Sequence, residues 1–300
     1  PTQGSITASA KEQIVRDLKN DYTVTSVTPV IVDPEYIDIR LNVNFQYNSK
    51  NTVKTSETLT SNVRTVLTNY NTNTLGNFDS SFRHSLITSL VDNTDDAITS
   101  NITTVKLSKN FTPTLNKETK YTVPFTNAIY NPHGGHSSDI GGVVSSSGFT
   151  ISGDENEMFL NDDGNGNIRL FYLTDGTTTT YKDSTAGTIN YLTGEIILTN
   201  FNITSISNID GATSTSIRII VTPDSNDVIG VRNQVLRLDT NNLTIGSNID
   251  TIATGGSAAG VGVSTTSSYS GDTSTTSSSS TSSTSSSSSS SSSNGSSSGY

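Results

Sequence analysis

The stretch from residue 37 to residue 47 constrains the fold most, because apolar and polar residues alternate along it without interruption. Its apolar residues are Ile37, Ile39, Leu41, Val43, Phe45 and Tyr47, and its polar residues are Asp38, Arg40, Asn42, Asn44 and Gln46. Successive side chains of a strand point to opposite faces of a sheet, so the pattern predicts a strand with one buried and one wet face. Because a one-residue shift would expose the whole apolar set, we expect a fixed register.

Helical patterns surround this strand. Ser9 and Glu12 form a capping box ahead of an apolar stripe, and a second helix is predicted over residues 56–70. A third helix is predicted over residues 79–91, with Asp79 as its cap. The three stripes are Ile14, Val15 and Leu18; Leu59, Val63, Val66, Leu67 and Tyr70; and Phe78, Phe82, Leu86 and Leu90. With further strands expected at 23–32, 103–108 and 121–125, residues 1–130 are predicted to be an α+β domain, close to a ferredoxin-like helix/sheet sandwich.

The pattern changes after a Gly-, Ser- and His-rich segment at residues 131–148, which we interpret as a linker. Residues 149–253 read as short strands separated by turn signals such as Asp163-Gly164 and Asp175-Gly176. This spacing predicts an all-β domain, an antiparallel β-sandwich or meander. Residues 254–300 are of low complexity, with 30 Ser or Thr among the 37 residues from Ser264 onward. A segment of that composition buries too little apolar surface to fold, so we expect a disordered tail.

The charge distribution narrows the classes of partner. Residues 1–149 carry 12 Lys or Arg against 13 Asp or Glu, a net charge of −1, and residues 150–253 carry 5 against 13, a net charge of −8. An acidic β-region argues against a nucleic-acid groove and is compatible with a basic protein partner. There is no signal-peptide pattern and no apolar run of about 20 residues, so no membrane association is expected. The lack of Cys excludes disulfides and thiolate chemistry.

One loop imitates a calcium site. Asn161, Asp163, Asn165, Gly166 and Ile168 follow the first eight positions of a calcium-binding loop. The twelfth position, however, is Tyr172 where a bidentate Glu is needed, and the first position lacks a charge. We therefore interpret the segment as a tight hairpin turn without a metal.

Other polar clusters are equally weak as sites. His133, His136 and Asp139 could ligate zinc only on a rigid scaffold, and their segment is rich in Gly and Ser. The remaining His84 lies on a predicted helix, and the adjacent carboxylates Asp95-Asp96 and Asp162-Asp163 lie in predicted turns. Because none of these forms a usable catalytic set, the prediction is a protein without enzymatic activity, cofactor, metal or small-molecule substrate.

Several motifs resemble those of a known family in their order along the chain. They are Asp33-Pro34 before the long strand, the helix start at residues 75–78, the hairpins at 162–172 and 187–196, and residues 223–227 followed by Arg232. In these the chain resembles the C-terminal half of the baseplate wedge (ring) protein of T-even-like contractile-tailed bacteriophages, a family related to baseplate J-like assembly proteins. Relatives of this kind are longer.

The resemblance implies a structural subunit. Two copies per wedge, over six wedges, would form a homo-oligomeric ring that joins the wedges around the hub and changes diameter when the sheath contracts. The implied partners are other baseplate wedge proteins, and the implied location is the virion's tail baseplate, after assembly in the host cytoplasm. The exposed sides of the helices at 56–70 and 79–91, and the acidic β-region, are candidate contact surfaces.

A second interpretation follows from composition alone. A β-rich, acidic chain without Cys and rich in Asn, Thr and Ser could be an adhesin or a receptor-binding tail-fibre module with a low-complexity stalk. The predicted helices at 56–70 and 79–91 weigh against it, because adhesin repeats are usually all-β.

Overall fold

The computed structural model describes residues 7–22, 29–131, 142–231 and 233–253. This part of the chain contains three α-helices, α1 (Ala8–Tyr22), α2 (Ser56–Tyr70) and α3 (His84–Asp92), together with fourteen strands. The strands are β1 (Glu35–Tyr47), β2 (Ser81–Phe82), β3 (Ile98–Phe111), β4 (Glu118–Pro124), β5 (Val144–Ser146), β6 (Phe149–Ile151), β7 (Met158–Asp162), β8 (Asn167–Thr174), β9 (Thr178–Asn190), β10 (Glu195–Ile206), β11 (Ile217–Val221), β12 (Val228–Ile229), β13 (Gln234–Leu238) and β14 (Thr244–Ile249).

Twelve of these strands form one sheet, with strand order β13-β1-β3-β11-β5-β7-β6-β10-β9-β8 and with β14 on β1 and β4 on β10. Strand β1 pairs with β3 in antiparallel register on one side and with β13 and β14 in parallel register on the other. The remaining two strands, β2 and β12, form a separate ribbon. Neighbours in the sheet therefore come from both ends of the described chain.

The long alternating strand and the helix at 56–70 form as the sequence predicts. All six apolar residues of β1 are buried, and helix α2 buries Leu59, Val63, Leu67 and Tyr70. These side chains belong to the same core cluster as Ile87 and Val91 of α3. Full burial of an aliphatic or aromatic side chain contributes about 1.5–3 kcal/mol, so this layer holds much of the stability.

The other two helices differ from the prediction. Helix α1 begins at Ala8, with Thr7 rather than Ser9 accepting from the Ala10 amide at 3.3 Å, and its described side chains are exposed or half-buried. Helix α3 begins at His84, five residues after the predicted start, and buries Ile87 and Val91. Phe78 and Leu86 of the predicted stripe are exposed. The predicted stripe was partly right, since Phe82 is fully buried and Leu90 packs against the core. Within α3, however, two apolar sets with helical spacing overlap, and packing buries Ile87 and Val91 rather than Leu86.

The predicted fold class, a ferredoxin-like α+β sandwich followed by a β-sandwich or meander, is wrong. The described residues are 45% strand and 20% helix. Instead of closing the first sheet with its own strands, the chain places β11 beside β3 and places β13 and β14 beside β1. The apolar periodicity of a strand shows which of its faces is buried but not which distant strand pairs with it. The sequence pattern therefore could not predict these pairings.

The region from 149 to 206 closes on itself. Strands β7, β8, β9 and β10 follow one another in antiparallel order, β6 joins β10 to β7, and β7 also pairs with β8. We call these five strands, β6 to β10, the barrel. A flat sheet of the same strands would expose the unpaired backbone groups of its two edge strands. Closure into a barrel pairs these strands with each other and so removes the free edges.

Several expectations fall outside the described residues: most of the strand predicted at 23–32, most of the linker predicted at 131–148 and the tail from residue 254. Residues 29–32 of the predicted strand are described and are not in a strand. Among the described helices, none combines the length and apolar character needed to cross a membrane.

Candidate functional site

The calcium-like loop is a hairpin turn between β7 and β8, as its sequence indicates. The Asp163 carboxylate accepts hydrogen bonds from the Asn165 amide at 2.7 Å, the Asn167 amide at 2.9 Å and the Asn167 side chain at 2.7 Å. Partial burial acts to raise the pKa of Asp163, but these hydrogen bonds to Asn167 and Asn165 outweigh it and lower the pKa overall. The carboxylate thus organises the turn, with positive φ angles at Gly164 and Gly166.

The neighbouring Asp162 is fully buried and has both carboxylate oxygens bonded. Oδ1 accepts from the Val144 amide at 2.8 Å, and Oδ2 accepts from the Tyr191 hydroxyl at 2.6 Å. Burial, followed by this hydrogen bond, raises the pKa of Tyr191 above its ordinary value. A Cβ at position 142 would lie 2.0 Å from the Asp162 carboxylate, so only Gly142 fits there. Asp162 therefore joins the barrel to β5.

Arg169 provides the positive charge of this cluster. Its side chain is buried, with Nε donating to Asn161 Oδ1 at 3.0 Å and Nη2 donating to the Asp162 carbonyl at 2.8 Å. The guanidinium carbon lies 4.4 Å from the ring centroid of Tyr181. The cluster of Asn161, Asp162, Arg169 and Tyr191 has the connectivity of a buried structural network.

His84 is also held by structural contacts. Its Nε2 lies 2.8 Å from the carbonyl oxygen of Thr103, and its amide donates to Asp227 Oδ1 at 2.9 Å. Arg83 Nη1 donates to the other oxygen of Asp227 at 2.8 Å, and Arg83 followed by the His84 amide lowers the Asp227 pKa. Asp227, which the sequence marked only as part of the motif at residues 223–227, therefore anchors the start of α3 from a distance of 143 residues along the chain.

The remaining predicted candidates do not form a site in the described residues. His133, His136 and Asp139 lie outside the described part of the chain. Asp95 accepts from Lys54 at 2.5 Å and from the Ala97 amide at 3.0 Å, and these two contacts lower its pKa. Among the described residues, no three His, Cys, Asp or Glu side chains lie close enough together to hold a metal ion.

Two surfaces of the described fold are candidates for contact with other proteins. The first is the outer face of β1, where Asp38, Arg40, Asn42, Asn44 and Gln46 are all half-buried and lie on the face opposite the buried set. The second surrounds the ribbon of β2 and β12, where large apolar side chains are exposed. The alternation in β1 predicted the first surface, whereas the second depends on the pairing of β2 with β12, which are far apart in sequence.

The comparisons with known proteins concern the helix/sheet layer. Residues 35–110 match the family described as baseplate structural protein gp6, C-terminal domain III. The match begins at the first residue of β1, includes α2 and α3, and ends one residue before the end of β3. The chain matches no curated protein in the comparison.

The matched family is one of structural proteins of the phage baseplate. This supports a structural role in the virion's tail baseplate and assembly with other baseplate proteins. Residues 35–110, which form the layer of β1, α2, α3 and β3, are similar to C-terminal domain III of baseplate structural protein gp6, and the resemblance to a phage baseplate wedge protein is confirmed.

Proposed function

We propose that this chain is a subunit of the baseplate wedge of a contractile-tailed phage and contributes to the ring that joins neighbouring wedges around the hub. In this role it turns over no substrate. It acts by contacts with further copies of itself and with other wedge proteins, and the ring rearranges when the sheath contracts. Assembly takes place in the host cytoplasm before the tail is complete.

The match of residues 35–110 to C-terminal domain III of baseplate structural protein gp6 carries this proposal. The matched residues include the largest fully buried side chains of the helix/sheet layer, such as Phe45, Leu59 and Phe82. A closely packed layer of this kind resists deformation, because protein interiors approach the density of organic crystals. Such a layer suits a subunit that transmits force without unfolding.

The surface of the described fold supports a role in assembly. A ring subunit needs two contact surfaces, or a pair of two-fold contacts, to meet a neighbour on each side. The outer face of β1 presents the amide side chains Asn42, Asn44 and Gln46, with Asn44 Nδ2 donating to Asn42 Oδ1 at 3.2 Å. This end of the face carries no charged side chain, whereas Asp38 and Arg40 at the other end are held in ion pairs with Arg237 and Asp239. An uncharged centre with charged residues at its edge is typical of protein interfaces.

Co-expression of the full chain with the other wedge proteins of the same phage tests the proposal. The complex is purified through a tag on one partner, and its mass is measured by native mass spectrometry. We expect a complex that contains this chain and at least one wedge protein, with two copies of this chain per wedge. Electron microscopy of assembled baseplates then locates the chain.

A chain that stays monomeric with every wedge protein would contradict the proposal. Binding of the isolated chain to host cells or to host glycans would instead favour a receptor-binding module. The matched control is a variant with Phe45→Asp, which disrupts the core of the matched layer and should abolish complex formation by unfolding it.

A further inference from the structure

Three large apolar side chains are exposed around the small ribbon of β2 and β12. Phe78 is 61% exposed, Ile229 is 54% exposed and Val231 is 43% exposed. We call these three residues the apolar patch. Single exposed apolar residues are common, but several that lie near one another, with an aromatic member, are characteristic of an interaction surface.

The pairing of the ribbon brings these residues together. Ile229 lies opposite Ser81, and the Gly230 amide donates to the Ser80 carbonyl at 3.4 Å. Phe78 precedes Ser80 by two residues, and Val231 follows Gly230. On the other side of the ribbon, Phe82 and Val228 face each other and are fully buried. One side of the ribbon, with Phe82 and Val228, thus packs into the core. The other side, where Ile229 lies opposite Ser81, faces solvent.

The backbone that carries Phe78 adopts uncommon conformations. Helix α2 continues into a π-helical turn at Asn71–Leu75, and Asp79 has a φ of 57°. The left-handed conformation is uncommon for residues other than Gly, although Asp adopts it more readily than most. The Ser80 hydroxyl holds the loop by donating to the Leu75 carbonyl at 2.7 Å. π-turns and left-handed residues of this kind are enriched at functional positions, and here they place an aromatic ring on the surface.

The charges around the apolar patch indicate which charge the surface of a partner should carry. Asp79 follows Phe78 directly and is exposed. Asp224 is exposed too and lies near Ile229, because its amide donates to the Ala128 carbonyl and the neighbouring Asn127 bonds the Ile229 backbone. Asp227 is paired with Arg83, so the acidic rim of the patch consists of Asp79 and Asp224. The whole chain carries a net charge of −10. A second copy that docked through the same patch would bring its own Asp79 and Asp224 against this rim, and like charges that face each other disfavour that contact, whichever other surface the copies use in the ring. A surface with a basic rim would be favoured by the same reasoning.

We propose that Phe78, Ile229 and Val231 dock into an apolar pocket with a basic rim on a different baseplate protein. The inference rests on the proposed function and deepens it by naming the surface and the chemistry of the partner. Phe78 is the anchor that fills the pocket, because a large aromatic side chain buries the most apolar surface. Ile229 and Val231 exclude water around it, and the acidic rim sets the orientation.

The test compares the full chain with the double variant Phe78→Ser/Ile229→Thr. Both side chains are more than half exposed, so the variant should keep the thermal midpoint of the parent. The control is Leu192→Ser, which removes an 84% exposed apolar side chain from the β9–β10 turn. Each protein is titrated with each purified wedge protein of the same phage by calorimetry, at about 0.05 M and about 0.5 M salt.

We expect one wedge protein to bind the double variant about tenfold or more weakly than the parent, with the control unchanged. High salt should weaken the binding of the parent by several-fold, since the rims are of opposite charge. Unchanged affinity of the double variant for every bound wedge protein would overturn the inference while leaving the proposed function intact. A change in self-association alone would make the occupant a second copy, contrary to the inference. If the parent bound no wedge protein, the proposed function would itself fail.

Discussion

The barrel and the outer face of β1 treat charged side chains in opposite ways. In the barrel, Asp162 and Arg169 are buried and bonded to amide, hydroxyl and carbonyl groups. On β1, Asp38 pairs with Arg237 and Arg40 pairs with Asp239, at side-chain exposures between 13% and 43%. In the barrel, protein groups take the place of water around the charged side chains. On β1, water still solvates part of each ion pair.

This difference teaches where a lost contact is costly. A buried carboxylate loses its hydration, and only its protein donors compensate, so removal of one member leaves the others unsatisfied. When one partner of a partly exposed ion pair is removed, water solvates the charge that remains. The barrel should therefore depend on single polar residues, and the sheet face should tolerate their replacement.

The largest effect is expected from Asp162→Ala. The change leaves the Val144 amide and the Tyr191 hydroxyl without their buried acceptor, whereas Arg169 keeps its hydrogen bond to the backbone carbonyl of residue 162. The free energy of unfolding should fall by about 3–5 kcal/mol, because each of the two buried donors loses its acceptor at a cost of about 1–3 kcal/mol. Urea denaturation followed by fluorescence measures it, with Glu155→Ala as an exposed acidic control in the β6–β7 turn. A loss below about 1 kcal/mol would remove the contrast between the two regions.

A smaller loss is expected from Tyr191→Phe. This change removes only the hydroxyl that donates to Asp162 Oδ2, and the second oxygen keeps the Val144 amide. The expected destabilisation is about 1–3 kcal/mol, because a charged acceptor is left partly unsatisfied. Tyr172→Phe is the matched control, since Tyr172 is half-buried in the barrel. Equal losses for the two variants would assign the effect to general packing.

Acid should act on the hairpin through Asp163. Its pKa is lowered in the folded protein, so its contribution to stability is present above the unfolded pKa of about 3.9 and is lost as the pH falls through the folded pKa. The contribution should be about 1 kcal/mol, given that the group is partly exposed. Denaturation curves between about pH 6 and pH 3 should show a shallower pH dependence for Asp163→Asn. The same slope in both proteins would contradict the assignment.

The smallest effect is expected on the sheet face. Asp38→Asn removes the charge that pairs with Arg237, whose Nη2 donates to Asp38 Oδ2 at 3.1 Å. Hydrogen bonding to Asp38 raises the pKa of Arg237, and the guanidinium keeps its stacking on Tyr36 at 4.5 Å after the change. The expected loss is at most about 1 kcal/mol, and salt should reduce it further. A loss as large as that of Asp162→Ala would show that the sheet face is effectively desolvated.

Local sequence features predicted the elements more reliably than their arrangement. The alternation in β1 identified its buried face residue by residue, and the stripe of α2 did so except for the half-buried Val66. Both succeed because one physical constraint, a single apolar face, acts on neighbouring residues. The turn at Asp163 was equally legible, since its Asx-type hydrogen bonds stay within five residues. For α3 two apolar sets competed, and the sequence favoured the wrong one.

Of the two candidate contact surfaces, local sequence predicts one, and the other depends on the pairing of distant strands. The polar face of β1 follows from its alternation, whereas the apolar patch requires β12 to pair with β2. The role of Asp227 at the start of α3 likewise joins residues 143 positions apart. No local pattern marks such partners, so sequence reasoning missed both.

The sequence by itself determined which faces of β1 and α2 are apolar and where the hairpins turn. It also indicated a resemblance to baseplate structural proteins, which the match at residues 35–110 confirms. Only the tertiary structure decided that β11, β13 and β14 complete the first sheet and that five strands close into the barrel. The physical reason is the distance along the chain over which each effect acts. Propensity, turn chemistry and amphipathic period act within a few residues, whereas strand partners are selected by the packing of whole faces across the chain.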